Sequence, residues 1–225
     1  MSSRFKLSNE IFSIGLNPSE ISVYAYMSSL PSLQDTLDGK ATITVKQSTI
    51  AQNCGIKAVQ TVSKVITSLT EKGLVEPIQR NTKRNGYKGT YIYTVKKLPT
   101  NDSFFFVERR VFGKLVPRQM MIYLFICKSF SMQLRDCWNS YNDISKQTGM
   151  KRETVIETIS ELEEMKLLRR NKRKSRENKR VYVDNHYFLI MYVRGTIEKQ
   201  CKRIARLHCE YNRTGLTLIK SIHFI

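Results

Sequence analysis

The stretch Ser48–Val75, STIAQNCGIKAVQTVSKVITSLTEKGLV, reads as two helices, a tight turn and the start of a strand. Ser48 is placed to cap a short first helix whose inward residues are Ile50 and Ala51. Gly55 ends that helix, because glycine accepts the left-handed conformation that other residues resist. A second helix follows from about Ala58, with Val59, Val62, Ile66 and Leu69 spaced along one face. Gln60, Thr61, Ser63, Lys64 and Thr67 fall on the other face, and Gly73 stops the helix before Leu74-Val75. That outer face is small, polar and free of acids until Glu71. Such a surface suits a helix laid into a DNA major groove, where amide and hydroxyl groups read base edges.

The same pattern returns in Tyr141–Leu168, YNDISKQTGMKRETVIETISELEEMKLL. Ile144 and Gly149-Met150 answer Ile50 and Gly55-Ile56 at a separation of 94. Thr154-Val155, Ile159, Leu162 and Leu167-Leu168 answer Thr61-Val62, Ile66, Leu69 and Leu74-Val75 at a separation of 93. The offset changes between the two helices, so the first copy has the longer turn. A repeat of this length divides the chain into two similar domains. The expected division is 1–98, 99–190 and a C-terminal amphipathic helix and tail over 191–225. The expected fold class is mainly α with small β-hairpins (α+β).

Composition narrows the partners. The chain has 225 residues, enough for two domains with their own cores, and a net charge of +19. Its apolar and charged fractions, 41% and 25%, are ordinary for a globular chain, but the charge excess is not. It points to a polyanion, either nucleic acid or an anionic membrane surface. The first ten residues, MSSRFKLSNE, contain no apolar run, which argues against a signal peptide and for a cytoplasmic location. Met120–Cys127 is the most apolar stretch and is too short to span a bilayer.

Five scattered cysteines, Cys54, Cys127, Cys137, Cys201 and Cys209, form no CxxC pair, so no zinc ribbon or thioredoxin-type centre is expected. Cys201, His208 and Cys209 cluster loosely without metal-site spacing. No HExxH, GxSxG, GxxxxGK[ST] or paired-carboxylate loop occurs, so neither an enzyme nor a cofactor is expected. No RNP-type aromatic strand motif points to RNA.

The remaining segments support the DNA reading. Asn17-Pro18-Ser19-Glu20 opens a helix with a cap, a first-turn proline and an acid near the positive end of the dipole. Ile21, Tyr24, Ala25 and Leu30 form its expected buried stripe. Thr42–Val45 alternates as a short strand. Strands at Leu74–Arg80 and Tyr91–Val95 flank NTKRNGYKGT, a glycine-rich basic hairpin tip of the kind that lies along a DNA backbone. Lys96–Ser103 reads as a linker, and Phe104–Val107 as a strand opening the second half. Pro117 to Phe130 matches the first helix, and Trp138 is expected in the core.

These features assign base reading to Lys57, Gln60, Thr61, Ser63, Lys64, Arg152 and Thr154. Phosphate contact falls to Lys83, Arg84 and Lys88 in the first hairpin, and to Arg169, Arg170, Lys172, Arg173, Lys174 and Arg176 in the second. The second recognition helix also carries Glu153, Glu157, Glu161, Glu163 and Glu164, which would repel phosphate or face a protein. In the tail, Ile197, Cys201, Ile204, His208 and Tyr211 form a stripe that packs on its own domain or forms a homodimer helix. A membrane-surface role for this basic helix is the weaker alternative.

With these residues in view, each half resembles the winged helix-turn-helix domain common among bacterial regulators. The pattern that carries the resemblance is Ile50-Ala51, Gly55-Ile56, Thr61-Val62, Ile66, Leu69 and Gly73-Leu74-Val75. The opening, with Gly15-Leu16-Asn17-Pro18 and Tyr24-Ala25-Tyr26, looks like replication and regulatory proteins of plasmids, phages and conjugative elements. Two such domains in a chain of this size also resemble plasmid replication initiators. The resemblance implies a sequence-specific duplex DNA-binding regulator of transcription or replication. The alternative it leaves is an initiator adaptor that recruits a replication or transcription protein through the acidic helix and tail.

Overall fold

The computed structural model describes residues 3–32, 34–35, 39–82, 88–101, 103–131, 137–174 and 182–190. Within them the chain forms the same unit twice. In the first half a strand β1 (Arg4–Ser8) precedes helix α1 (Pro18–Ser29), short strand β2 (Gln34–Asp35) and β3 (Lys40–Val45). Helices α2 (Gln47–Asn53) and α3 (Val59–Glu71) follow, then the hairpin β4 (Val75–Thr82) and β5 (Lys88–Lys96). The second half repeats this as β6 (Phe104–Glu108), α4 (Pro117–Ser129), β7 (Cys137–Trp138), α5 (Tyr141–Thr148), α6 (Arg152–Glu164), β8 (Leu168–Lys174) and β9 (Tyr182–Leu189). Both hairpin sheets are antiparallel, ordered β2-β3-β5-β4 and β7-β9-β8. Each half is therefore a winged helix-turn-helix unit, and the fold is α+β as expected. The expected tail helix over 191–225, with its dimer stripe, lies outside the described residues.

Local chemistry explains the elements. Asn17 caps α1 by accepting from the Ser19 and Glu20 N–H groups at 2.9 and 3.0 Å, and Glu20 accepts the Asn17 N–H at 2.8 Å. This reciprocal capping box fixes the first turn. Strand β3 alternates, burying Ala41, Ile43 and Val45, and pairs Ile43 with the fully buried Tyr93 of β5. The β4 edge carries Pro77 beside a bulge, where a missing N–H costs no ladder bond.

One cap expectation and one burial expectation need correction. Lys46, not Ser48, is the N-cap of α2, and it makes no side-chain cap bond. Val59 stands 39% exposed, while Val62, Val65, Ile66 and Leu69 form the buried face of α3. The first turn of α3 extends past the edge of the core, so helical spacing marks its side but not its depth.

Both copies end their third helix with a left-handed residue. In the first copy it is Gly73 at φ 67°, and in the second it is Lys166 at φ 55°. A lysine there bears the Cβ–carbonyl crowding that glycine escapes. Lys166→Gly is expected to raise stability by about 0.5–1 kcal/mol, read from the denaturant midpoint at unchanged slope.

The halves join across a pseudo-two-fold axis. Strands β1 and β6 pair antiparallel, Arg4 with Glu108, Lys6 with Phe106 and Ser8 with Phe104. Lys6 and Phe106 are also equivalent positions in the repeat, so the axis passes between them. Other contacts come in matched pairs. The Asn9 N–H donates to the Ser103 carbonyl at 3.0 Å, and the Arg109 N–H to the Ser3 carbonyl at 2.9 Å. Phe5 packs on Phe112 at 6.0 Å between centroids, and Phe12 on Phe105 at 6.3 Å. Tyr26 meets Phe112 at 5.2 Å, and Phe12 meets Phe125 at 5.8 Å, both edge to face.

Helices α1 and α4 lie at the centre of this junction. Met120–Cys127 is buried without a break, and so is Ile21–Met27. A helix apolar all round is a helix covered all round. The expected single stripe on α1 therefore understates its burial, because the far side faces the other half. Among the described residues no helix is long and apolar enough to cross a membrane.

One contact breaks the symmetry. The first copy's turn packs on the second half, where the Gly113 N–H donates to the Asn53 carbonyl at 2.7 Å. A Cβ on Gly55 would lie 2.7 Å from the Leu115 carbonyl oxygen and 2.9 Å from the Val116 Cα. Around Gly149, its counterpart, there is nothing within 4 Å.

Candidate nucleic-acid interface

Helix α3 is anchored from below and open above. Val62, Val65, Ile66 and Leu69 hold it to the core, and at its far end the Lys72 ammonium meets the buried Glu20 carboxylate at 2.6 Å. Glu20 also accepts from the Ser68 hydroxyl at 2.5 Å. Burial raises the carboxyl pKa, but hydrogen bonds from Lys72, Ser68 and the Asn17 N–H, with the Lys72 charge, bring it below its ordinary value. From sequence Glu20 read as a dipole partner only. In the fold it also locks α1 to α3.

On the open side Lys57, Gln60, Thr61, Ser63 and Lys64 are all exposed. The Ser63 hydroxyl donates to the Gln47 Oε1 at 2.9 Å, which ties the reading face to the start of α2. Gln47 thereby joins this face, although sequence reasoning did not select it. Its position at a helix start gave no periodic signal. The surface offers hydroxyls, amides and two lysines without an acid, a set able to donate and accept at base edges.

The second copy presents a different face. Arg152 is exposed with its guanidinium carbon 5.7 Å from the Tyr141 ring centroid, and Thr154 is half-buried beside it. Arg170 departs from its expected phosphate role. Its guanidinium pairs with Glu163 at 2.7 Å and donates to the Tyr141 hydroxyl at 2.5 Å, while its backbone N–H also reaches Glu163 at 2.8 Å. Glu161 is likewise turned inward, gripped by Arg118 and by the Gln119 side-chain amide at 2.7 Å. Two of the five acids on α6 thus join it to α4 and β8. Glu153, Glu157 and Glu164 remain exposed.

Both hairpins rise beside these helices. Lys88 opens β5 opposite Thr82, while Lys83 and Arg84 lie outside the described residues. Arg169 is exposed on β8. Lys172, Arg173 and Lys174 continue that strand in register with Asn185, Asp184 and Tyr182, and Arg176 lies outside the described residues.

Trp138 is corrected from core to surface. It is 62% exposed, opposite His186 on the outward side of the sheet, while its neighbour Cys137 points inward. Cys54, Cys127 and Cys137 are buried thiols outside any disulfide, and burial pushes Cys54 up to about 12. Among the described residues no group of three or more His, Cys, Asp or Glu side chains could hold a metal ion.

Comparison with known proteins agrees with this geometry. Residues 114–168, which run from the loop before α4 to the start of β8, match the family model described as a helix-turn-helix domain. No curated protein matches the chain. Among solved structures, the crystal structure of a Pi initiator protein in complex with iteron DNA aligns with a TM-score of 0.51 at 11% identity. The alignment covers 83% of this chain and 97% of that one. In fold, then, the chain is a tandem winged helix-turn-helix protein.

Proposed function

We propose that the protein binds double-stranded DNA sequence-specifically and regulates replication or transcription, with a mobile element as its setting. The observation that carries this reading is the face of α3 and the turn before it: five exposed polar or basic side chains, fixed by a buried stripe, on a chain of net charge +19. The solved neighbour of the same architecture, an initiator on iteron DNA, supports it. In this reading Gln60, Thr61, Ser63 and Lys64 contact bases, with Gln47 bracing Ser63. Arg169, Arg173 and the hairpin lysines neutralise phosphates. Arg152 serves the second copy.

Selection from a random duplex pool, followed by titration at several salt concentrations, tests it. The expected result is an enriched site and a log–log salt slope of about −5 to −9, from about 6–10 phosphate contacts. A slope near −2 would exclude two domains clamping one duplex. Gln60→Ala should narrow the gap between the selected site and random DNA by about 1–3 kcal/mol. Arg173→Ala with Arg176→Ala should weaken both alike. A change confined to sequence preference in the arginine variant would reverse these roles.

A second reading, an adaptor that recruits a replication protein, is favoured by one feature, the exposed acids Glu153 and Glu157 on α6. Its test is a partner that binds without DNA and fails with Glu153→Lys and Glu157→Lys. Glu161 is unsuitable for that test, because changing it cuts the α4–α6 tie.

A further inference from the structure

We propose that Val59 reads the 5-methyl group of a thymine, and so supplies an apolar specificity contact to one half of the bound site. This contact rests on the duplex reading proposed above and adds to it a residue and a base. Among the described residues five large apolar side chains are exposed, Val59, Ile78, Val116, Trp138 and Met165. Of these only Val59 stands in the first turn of a reading helix. That turn is the part of a recognition helix that meets base edges.

Neither core packing nor capping accounts for a valine there. Val62, Val65, Ile66 and Leu69 already hold α3 to the core, while Val59 is 39% exposed at the helix start. The N-cap, Ala58, makes no side-chain cap bond, and a β-branched residue is a poor helix former. Helical spacing sets Val59 one turn before Ser63, between the buried stripe and the polar face. Lys57, Gln60 and Ser63 around it are exposed. Gln47, at the start of α2, turns its amide oxygen to the Ser63 hydroxyl at 2.9 Å, so that bond ties it to Ser63 rather than to Val59.

The repeat supplies an internal comparison. Helices α3 and α6 begin at Val59 and Arg152, and α2 and α5 begin at Gln47 and Tyr141. Arg152 therefore holds the place of Val59, with its guanidinium carbon 5.7 Å from the centroid of the Tyr141 ring. One backbone position thus offers a charged donor in the second half and two methyl groups in the first. Along the major groove each base presents donors and acceptors, and thymine alone adds an apolar group, its C5-methyl. Thymine is the base that matches Val59. A valine side chain is stiff about its single torsion, so the contact costs little ordering.

Competition binding of the full chain to its selected duplex, with each thymine replaced in turn by deoxyuridine, tests the contact. Deoxyuridine pairs as thymine does and lacks only the methyl group. Wild type is expected to weaken about fourfold at one thymine per bound chain, the loss of one buried methyl-sized group. That thymine should neighbour the base pair whose preference Gln60→Ala relaxes. Val59→Ser should weaken the thymine site by a similar factor and bind the thymine and deoxyuridine sites alike, with its urea midpoint unchanged. Val59→Ile keeps an apolar tip and should keep the discrimination. Arg152→Ala should lower affinity and leave discrimination at that thymine as it was. Tolerance of deoxyuridine at every thymine, or discrimination that persists in Val59→Ser, would overturn the proposal. A pool that yields no enriched site would remove the sequence-specific reading itself, and this contact with it.

Discussion

Gly55→Ala is expected to lower stability by about 3 kcal/mol, against about 1 kcal/mol for Gly149→Ala. Both glycines are left-handed, at φ 63° and 68°, so both substitutions incur the same backbone penalty. Only at Gly55 does the new methyl group meet backbone, with the Leu115 oxygen at 2.7 Å and the Val116 Cα at 2.9 Å. Neither atom can rotate away as a side chain would, so the junction itself must open. The measurement is urea unfolding of each variant followed by circular dichroism. Near-equal losses would mean that the turn of the first copy does not bear on the second half in solution.

Glu20→Ala should cost about 1.5–3 kcal/mol, because the Ser68 hydroxyl and the Asn17 N–H lose a charged acceptor, while Lys72, whose side chain is 30% exposed, keeps water and the Gly15 carbonyl. Glu20 is 2% exposed, and its loss removes an acceptor from the Ser68 hydroxyl, the Asn17 N–H and the Lys72 ammonium together. The effect is pH-dependent. The folded-state pKa of Glu20 lies below its unfolded value, so its contribution is fully present above the unfolded value near 4.5. It is lost as pH falls through the folded pKa. Wild type and Glu20→Gln should therefore differ most at neutral pH and converge in acid. Parallel curves across that range would remove the carboxylate charge from the account. The same change should loosen α3, because Ser68 lies on its final turn and Lys72 is its C-cap.

Much of this architecture was legible in the chain because its signals are local. Gly55, Gly73 and Gly149 take the left-handed conformations their positions in the repeat require. Asn17 and Glu20 form the expected box. The repeat offset even locates the insertions, since α1 and α4 start 99 residues apart, α2 and α5 94, and α3 and α6 93. The loop after the first helix and the turn between the next two are thus the longer ones in the first copy.

What escaped the sequence depends on partners distant along it. Glu20 finds Lys72 across 52 residues, and Glu161 finds Arg118 across 43. A run of acids on one helix reads as repulsion until those cations arrive from other elements. Arg170 sits in a basic run that reads as a solvated tip, yet β8 turns it inward, on the side of Leu168 and Tyr187, while Arg169 turns outward. Trp138 shows the same limit in a strand of two residues. Two positions cannot reveal which parity faces inward, and Cys137 occupies that place.

The β1–β6 pair, with its axis between Lys6 and Phe106, has a kinetic meaning. A homodimeric reader assembles its two helices by collision, so its occupancy of a bipartite site rises with the square of subunit concentration when subunits are scarce. Where one chain supplies both readers, as in the proposed reading, covalent linkage replaces that encounter, and the effective concentration of one half near the other is fixed by the chain. Under the proposed reading, occupancy therefore rises in simple proportion to copy number. Because the two reading faces differ in charge, the tethered pair also has a front and a back. A single molecule can then confer a direction on the DNA beneath it, which a symmetric dimer on a palindrome cannot do.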